Sequence, residues 1–239
     1  MKSIYDQTVS IRFYDCDCYE RAKLSTINKL IADVAGTGYV AAGMTHQYLW
    51  DHGYVFLLSK VSISFDSVPH AGDEITVSTW ERGSQGAFFK RDFEIFDTQK
   101  KKIISAVTDW ILVNPITRQI IRPTNFDGIR AILPEKQAEA PKCKRLKMEK
   151  GVAVGEREVR FSDLDGNGHV YNAVYADIAV DALPPALRQR EMKTYQINFI
   201  HEVKMGDTIA LFLEVSDDGA TVKGCVDGKD SFICTICYA

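Results

Sequence analysis

Three side chains able to handle a water molecule and a carbonyl group, Asp165, Asn167 and His169, stand at alternate positions in Ser162-Asp163-Leu164-Asp165-Gly166-Asn167-Gly168-His169-Val170-Tyr171-Asn172. In extended backbone, residues at i, i+2 and i+4 share one face. A carboxylate can act as base or nucleophile, an amide can hold a water or a carbonyl, and an imidazole can move a proton near neutral pH. The segment leads into an apolar stretch that reads as a helix, whose free first N–H groups would stabilise negative charge on an oxygen. Such a set can hydrolyse an acyl bond without a metal. Gly166 and Gly168 permit a tight loop and close substrate approach.

Plainer readings compete. Asp-Gly-Asn-Gly is also a turn sequence, and Asn172 is a helix N-cap residue type. The string Asp163-Leu164-Asp165-Gly166-Asn167-Gly168 has the look of a calcium-loop opening, but the position that needs a bidentate Glu is Val174, so no metal is expected. His46, His52, His70 and His201 lack comparable neighbours and read as structural or surface residues.

The elements that must position these residues recur. Arg12-Phe13-Tyr14-Asp15-Cys16-Asp17 and Arg160-Phe161-Ser162-Asp163-Leu164-Asp165 share R-F-x-D-x-D at a spacing of 148, as do Asp33 and Asp181. Val61-x-Ile63-x-Phe65 with Gly72-Asp73-x-Ile75 matches Tyr195-x-Ile197-x-Phe199 with Gly206-Asp207-x-Ile209 at a spacing of 134. The difference places an insertion in the first copy, within 44–58. Each copy reads as a short strand ending at Phe13 or Phe161, an Asp-rich loop, an apolar helix and four alternating strands. The strands fall at 61–65, 75–80, 89–96 and 104–113, then at 195–199, 209–215, 221–226 and 232–238, with Gly-rich turns between them. A helix against an antiparallel sheet is an α+β arrangement. A Pro-bearing connector spans 114–155, with a short helix expected near 126–133.

In the first copy, Tyr19, Arg21 and Leu24 stand where the second has Asn167, His169 and Asn172. A single active site therefore belongs to the second copy. The wider composition fits: 29 basic against 32 acidic residues leave a net charge of -3, which argues against a nucleic acid partner. No apolar run reaches the roughly 18 residues of a membrane span, and the first ten residues carry no signal-peptide core, so a cytoplasmic protein is expected. The six cysteines form no paired metal motif; Cys234 and Cys237 read as buried free thiols.

The segment Ser162 to Asn172 resembles the S-D-L-D-x-N-x-H-V-N-N motif of the acyl-acyl carrier protein thioesterases of plant plastids and bacteria, with Tyr171 departing from its first closing Asn. Thr79-Trp80, Phe89-Lys90-Arg91-Asp92-Phe93, the stretch 110–114 and Thr117-Arg118 add to the likeness. The resemblance implies two tandem hot-dog domains, each a long helix wrapped by an antiparallel sheet. It divides the chain into 1–133 for the acyl chain, a linker at 134–155, and 156–239 for the catalytic residues. By the same resemblance Asp165, Asn167 and His169 are catalytic. They are joined by Glu202, in Phe199-Ile200-His201-Glu202-Val203, where the family has Y-R-R-E-C. Val203 replaces that cysteine, so the mechanism implied is carboxylate-based and needs no cofactor.

The implied substrate is a fatty acyl group on the phosphopantetheine arm of an acyl carrier protein. An apolar tunnel for it is expected in the first domain, with Tyr48, Leu49 and Trp50 setting its depth. Acyl carrier proteins are acidic, which makes Lys100-Lys101-Lys102 and the run Lys142, Lys144, Arg145 and Lys147 candidate docking patches. An acyl-CoA thioesterase and a non-enzymatic acyl-thioester sensor are the alternatives. A tandem chain can make the usual hot-dog pair internally, so a monomer suffices and a homodimer stays open.

Overall fold

Apolar residues three and four apart between Leu24 and Ala41 form one long helix, α1 (Leu24–Ala41), whose Ile27, Ile31 and Val34 are fully buried. The equivalent residues of the second copy form α3 (Val174–Asp181), with Tyr175, Ala176, Ile178 and Ala179 buried. The two helices pack against each other. The computed structural model describes residues 3–128 and 130–239.

Around α1 lie β1 (Tyr5–Ser10), β2 (Val55–Phe65), β3 (Glu74–Gln85), β4 (Phe88–Phe96), β5 (Lys102–Val113) and the two-residue β6 (Ile120–Ile121). Around α3 lie β7 (Val152–Glu158), β8 (Met192–Phe199), β9 (Thr208–Ser216), β10 (Gly219–Val226) and β11 (Lys229–Tyr238). Among the described residues these make one sheet in the order β1-β3-β4-β5-β2-β8-β11-β10-β9-β7, with β6 paired to β5. Each copy contributes five consecutive positions, and the seam is the antiparallel pair β2–β8, in register from Lys60↔Asn198 to Ser64↔Thr194. Inward-facing side chains such as Ile63, Phe93, Tyr195 and Phe232 close over the helices in a single core.

Several expectations needed correction. The first strand of each copy ends at Ser10 and at Glu158. Phe13 and Phe161 lie beyond it, exposed, and each opens a short 3-10 turn. In those turns the carboxylate three residues after the Arg accepts from its backbone N–H, Arg12 to Asp15 at 2.9 Å and Arg160 to Asp163 at 2.8 Å. Only α1 is long; α3 has eight residues, and Pro184-Pro185 then start the one-turn α4 (Pro185–Arg188). The insertion is therefore not confined to 44–58. It comprises the end of α1 beyond Asp33 as well as α2 (His46–Asp51), while β2 starts at Val55. The helix expected near 126–133 is a 3-10 turn at Pro123–Asn125 followed by irregular chain; Ile129 lies outside the described residues.

The connector is pinned to the outer face of the sheet. Trp80 Nε1 donates to Lys136 O at 2.6 Å, Ala138 N donates to Asp92 Oδ2 at 2.9 Å, and Trp80, Val107 and Ala138 form a small second core. Asn198 holds the far end, its Oδ1 accepting from Leu146 N at 2.8 Å and its Nδ2 donating to Lys144 O at 3.0 Å. Cys143 and Cys234 are free thiols pushed up to about 12 by burial, whereas Cys237 is half-buried and Cys18 exposed.

Candidate active site

The segment Asp165 to His169 is a closed turn rather than an extended strand. Asp165 N donates to His169 O at 2.8 Å and Gly168 N to Asp165 O at 3.0 Å, with Gly168 at φ +77°. That positive φ is what a glycine supplies at no steric cost. Asp165 and His169 thus meet as partners across a hairpin, not as neighbours on one strand face. Asp165 Oδ1 accepts from Asn167 N at 2.8 Å and from His169 N at 3.4 Å, while its Oδ2 has the Asn167 side-chain amide at 3.4 Å. Asn172 is not the cap of α3: that place falls to Ala173, which has no side-chain cap.

A second turn, 199–207, carries Glu202 to the same spot. Val170 N donates to Val203 O at 2.8 Å and His169 bridges Lys204. The clip leaves Val203 fully buried and turns Glu202 outward, so that His169 Nε2 lies 3.3 Å from Glu202 Oε2. Tyr175 supports the turn from below, its ring edge-on to Phe199 at 5.6 Å. Burial, then the Asp33 and Asp165 carboxylates, raises the Tyr171 phenol above its ordinary value.

The structure adds a residue that motif reading passed over. Arg118 donates from Nη2 to Glu202 Oε2 across the junction between the copies. Its loop is built by Asn114, whose Oδ1 accepts from Ile116 N at 3.0 Å and Thr117 N at 2.9 Å, and Arg118 itself sits at φ +60°. The signal was the Asn114 to Arg118 string, but nothing in it announces a partner 84 positions away.

Tyr48, Leu49 and Trp50 lie elsewhere, on the surface helix α2. Tyr48 stacks on His52 at 4.1 Å, and Trp50 stacks on His46 at 6.3 Å while staying largely exposed. Beyond them Tyr54, Phe126, Phe56 and Tyr39 form a continuous run of ring contacts that leads back to α1.

The first copy holds the same skeleton with different chemistry. Asp17 Oδ1 accepts from Tyr19 N at 2.9 Å and Arg21 N at 3.1 Å, and Ala22 N donates to Pro69 O at 2.7 Å, each bond matching one in the second copy. There the outer carboxylate oxygen is occupied: Arg21 binds it through Nε at 3.2 Å and Nη2 at 3.0 Å. Arg21 replaces His169, Tyr19 replaces Asn167, and Val68 replaces Glu202. Holding the loop together is therefore common to both aspartates, and an outer oxygen without an arginine, the amide, the imidazole and the second carboxylate belong to the second copy alone.

A helix enclosed by an antiparallel sheet, twice over in one chain, is the tandem hot-dog architecture. An acyl-ACP thioesterase from Bacteroides thetaiotaomicron superposes with a TM-score of 0.91 over 99% of this chain and 98% of that one, at 21% identity. A 12:0-ACP thioesterase from Umbellularia californica gives 0.83 over 100% and 98%, at 15%. The sequence matches the acyl-ACP thioesterase N-terminal domain over residues 2–127 and the C-terminal domain over residues 147–230. The chain belongs to the acyl-ACP thioesterase family. A palmitoyl-acyl carrier protein thioesterase of Gossypium hirsutum is 22% identical over 234 residues, 90% of this chain and 55% of that protein. One from Arabidopsis thaliana is 21% identical over 83% of this chain and 52% of its own length. The chain spans about half the length of these relatives.

Proposed function

We propose that the chain hydrolyses the thioester of a fatty acyl-acyl carrier protein, releasing a free fatty acid. The observation that carries this reading is the grouping of Asp165, Asn167, His169 and Glu202 at the one of two matching loops that lacks the structural arginine. No metal or cofactor is called for by this set.

In the reaction, the outer oxygen of Asp165 takes a proton as water adds to the thioester carbon. The Asn167 amide donates to the carbonyl oxygen as negative charge builds on it. His169, held by Glu202, gives a proton to the sulfur as the C–S bond breaks. The products are a carboxylic acid and the free thiol of the phosphopantetheine arm. In this reading residues 1–133 receive the acyl chain, with Tyr48, Leu49 and Trp50 bounding its far end, 134–155 joins the units, and 156–239 carries the chemistry. Lys100 and Lys101 with Lys142, Lys144, Arg145 and Lys147, all exposed, offer the basic docking surface. Among the described residues no helix is long and apolar enough to cross a membrane, and a cytoplasmic setting is part of the same proposal.

The test is steady-state thiol release from palmitoyl-acyl carrier protein and palmitoyl-CoA side by side, with Asp165→Asn as control. Preference for the carrier protein, lost in the variant, is expected. Preference for CoA would keep the site and change the carrier; no hydrolysis across a range of chain lengths would leave a sensor of acyl thioesters.

A further inference from the structure

The first-copy loop borders an open cavity of about 470 Å³, large enough for a small-molecule ligand. Its position is set by the repeat. Asp17, Arg21, Val68 and His70 line it, and their counterparts in the second copy are Asp165, His169, Glu202 and Lys204. The wall opposite is α3, through Asp177 and Val180. The cavity therefore occupies the place in the first copy that the candidate active site occupies in the second.

Its chemistry is that of a binding site without a reaction. Arg21 is fully committed: besides Asp17 it donates to the backbone oxygens of Arg188, Gln189 and Arg190, at 2.8, 3.3 and 3.3 Å, locking the rim. No imidazole or second carboxylate stands at the positions of His169 and Glu202. One side of the cavity is an apolar wall of Leu24, Phe65, Val68, Val180 and Met192. Deeper in, the partly buried carboxylate of Asp177 can accept from an amide N–H. The exposed rim is mixed in charge, with Lys23 and Lys193 beside Asp66 and Glu191. The apolar wall and the amide acceptor match an acyl chain and a pantetheine arm, the ligand that the repeat would place here.

We infer that this cavity is a second, non-hydrolytic site for acylated phosphopantetheine. The inference rests on the thioester reading of the first site, and it makes the chain a two-site binder with one site of turnover.

The experiment is equilibrium dialysis with hexadecyl-phosphopantetheine thioether, in which a methylene replaces the reactive carbonyl. Two equivalents per chain are expected. Val180→Trp, which fills the cavity from α3, should bind one equivalent and still release thiol from palmitoyl-acyl carrier protein at a rate within about twofold of the parent. Val68→Trp, which fills it from the first copy, should do the same and guards against misfolding of either variant. One equivalent in the parent, unchanged by both variants, overturns the inference. So does a second equivalent that palmitate alone displaces as well as the thioether, since the arm would then contribute nothing. If no thiol is released but two equivalents bind, the hydrolytic reading falls and the second site stands.

Discussion

Glu202 and Arg118 form an ion pair across the junction of the two copies, and the carboxylate oxygen that Arg118 binds is the one 3.3 Å from His169 Nε2. A residue of the first copy thereby fixes the orientation of a side chain in the second. Arg118→Gln should lower kcat by about tenfold with a smaller change in KM, the pattern of lost positioning rather than lost binding. Arg118→Lys should recover part of the loss, and a change confined to KM would refute the positioning role.

Asp165→Asn keeps an Oδ1 that can accept from Asn167 N and His169 N, so the loop should persist. The variant should retain the circular dichroism and thermal midpoint of the parent while turnover falls by about a thousandfold or more. Asp17→Asn, at the matching position, should leave kcat within about twofold and weaken only the Arg21 ion pair. Equal losses from both substitutions would mean that the aspartates act only as loop acceptors.

The aromatic run Tyr48, His52, Tyr54, Phe126, Phe56 and Tyr39 links α2 to α1, with Leu49 and Trp50 beside its outer end. Replacing Tyr48, Leu49 or Trp50 with Ala should shift the preferred acyl length by two carbons or more, read by thiol release across a chain-length series. An unchanged preference would leave α2 as a surface cover.

Asn198 ties the connector to the seam through two hydrogen bonds, on a strand that is itself half of β2–β8. Asn198→Ala strands a buried N–H and a carbonyl, and should cost about 2 kcal/mol in urea denaturation. A loss under about 0.5 kcal/mol would show that water replaces both bonds.

Burial raises the Asp177 carboxyl above its ordinary 3.8, against a Ser25 hydrogen bond and the nearby Lys29 and Lys23. The folded state holds that proton more tightly than the unfolded chain, so this group's contribution to stability declines as pH rises through the window just above 3.8. Asp177→Asn keeps an acceptor for Ser25 and removes the charge. It should be more stable than the parent near neutral pH and indistinguishable from it below about pH 3.5. A difference that persists unchanged into acid would assign the effect to packing.

The duplication could be read from residues because both loops need the same few groups. An Arg-x-x-Asp turn caps itself, and the Asp two residues on collects N–H donors from two and four positions ahead. The strands were legible from alternation. The closed turn at Asp165 was not, since i, i+2, i+4 spacing describes both an extended face and a hairpin closing on itself. The uneven helices escaped because Pro184 stops α3, whereas the Gly36 and Gly38 positions of α1 are tolerated within a packed helix. Arg118 and the pinned connector escaped for a further reason: both depend on partners brought close only by the sheet, and local pattern carries no trace of them.

The seam between β2 and β8 has an evolutionary consequence. Two identical chains meeting at such a strand pair would have to accept every substitution twice, once at each loop. Joined in one polypeptide, the loops became separately inheritable. One set of positions can hold His169 and Glu202 while the other holds Arg21 and Val68, so that an open mouth and a braced one stand side by side in a single chain.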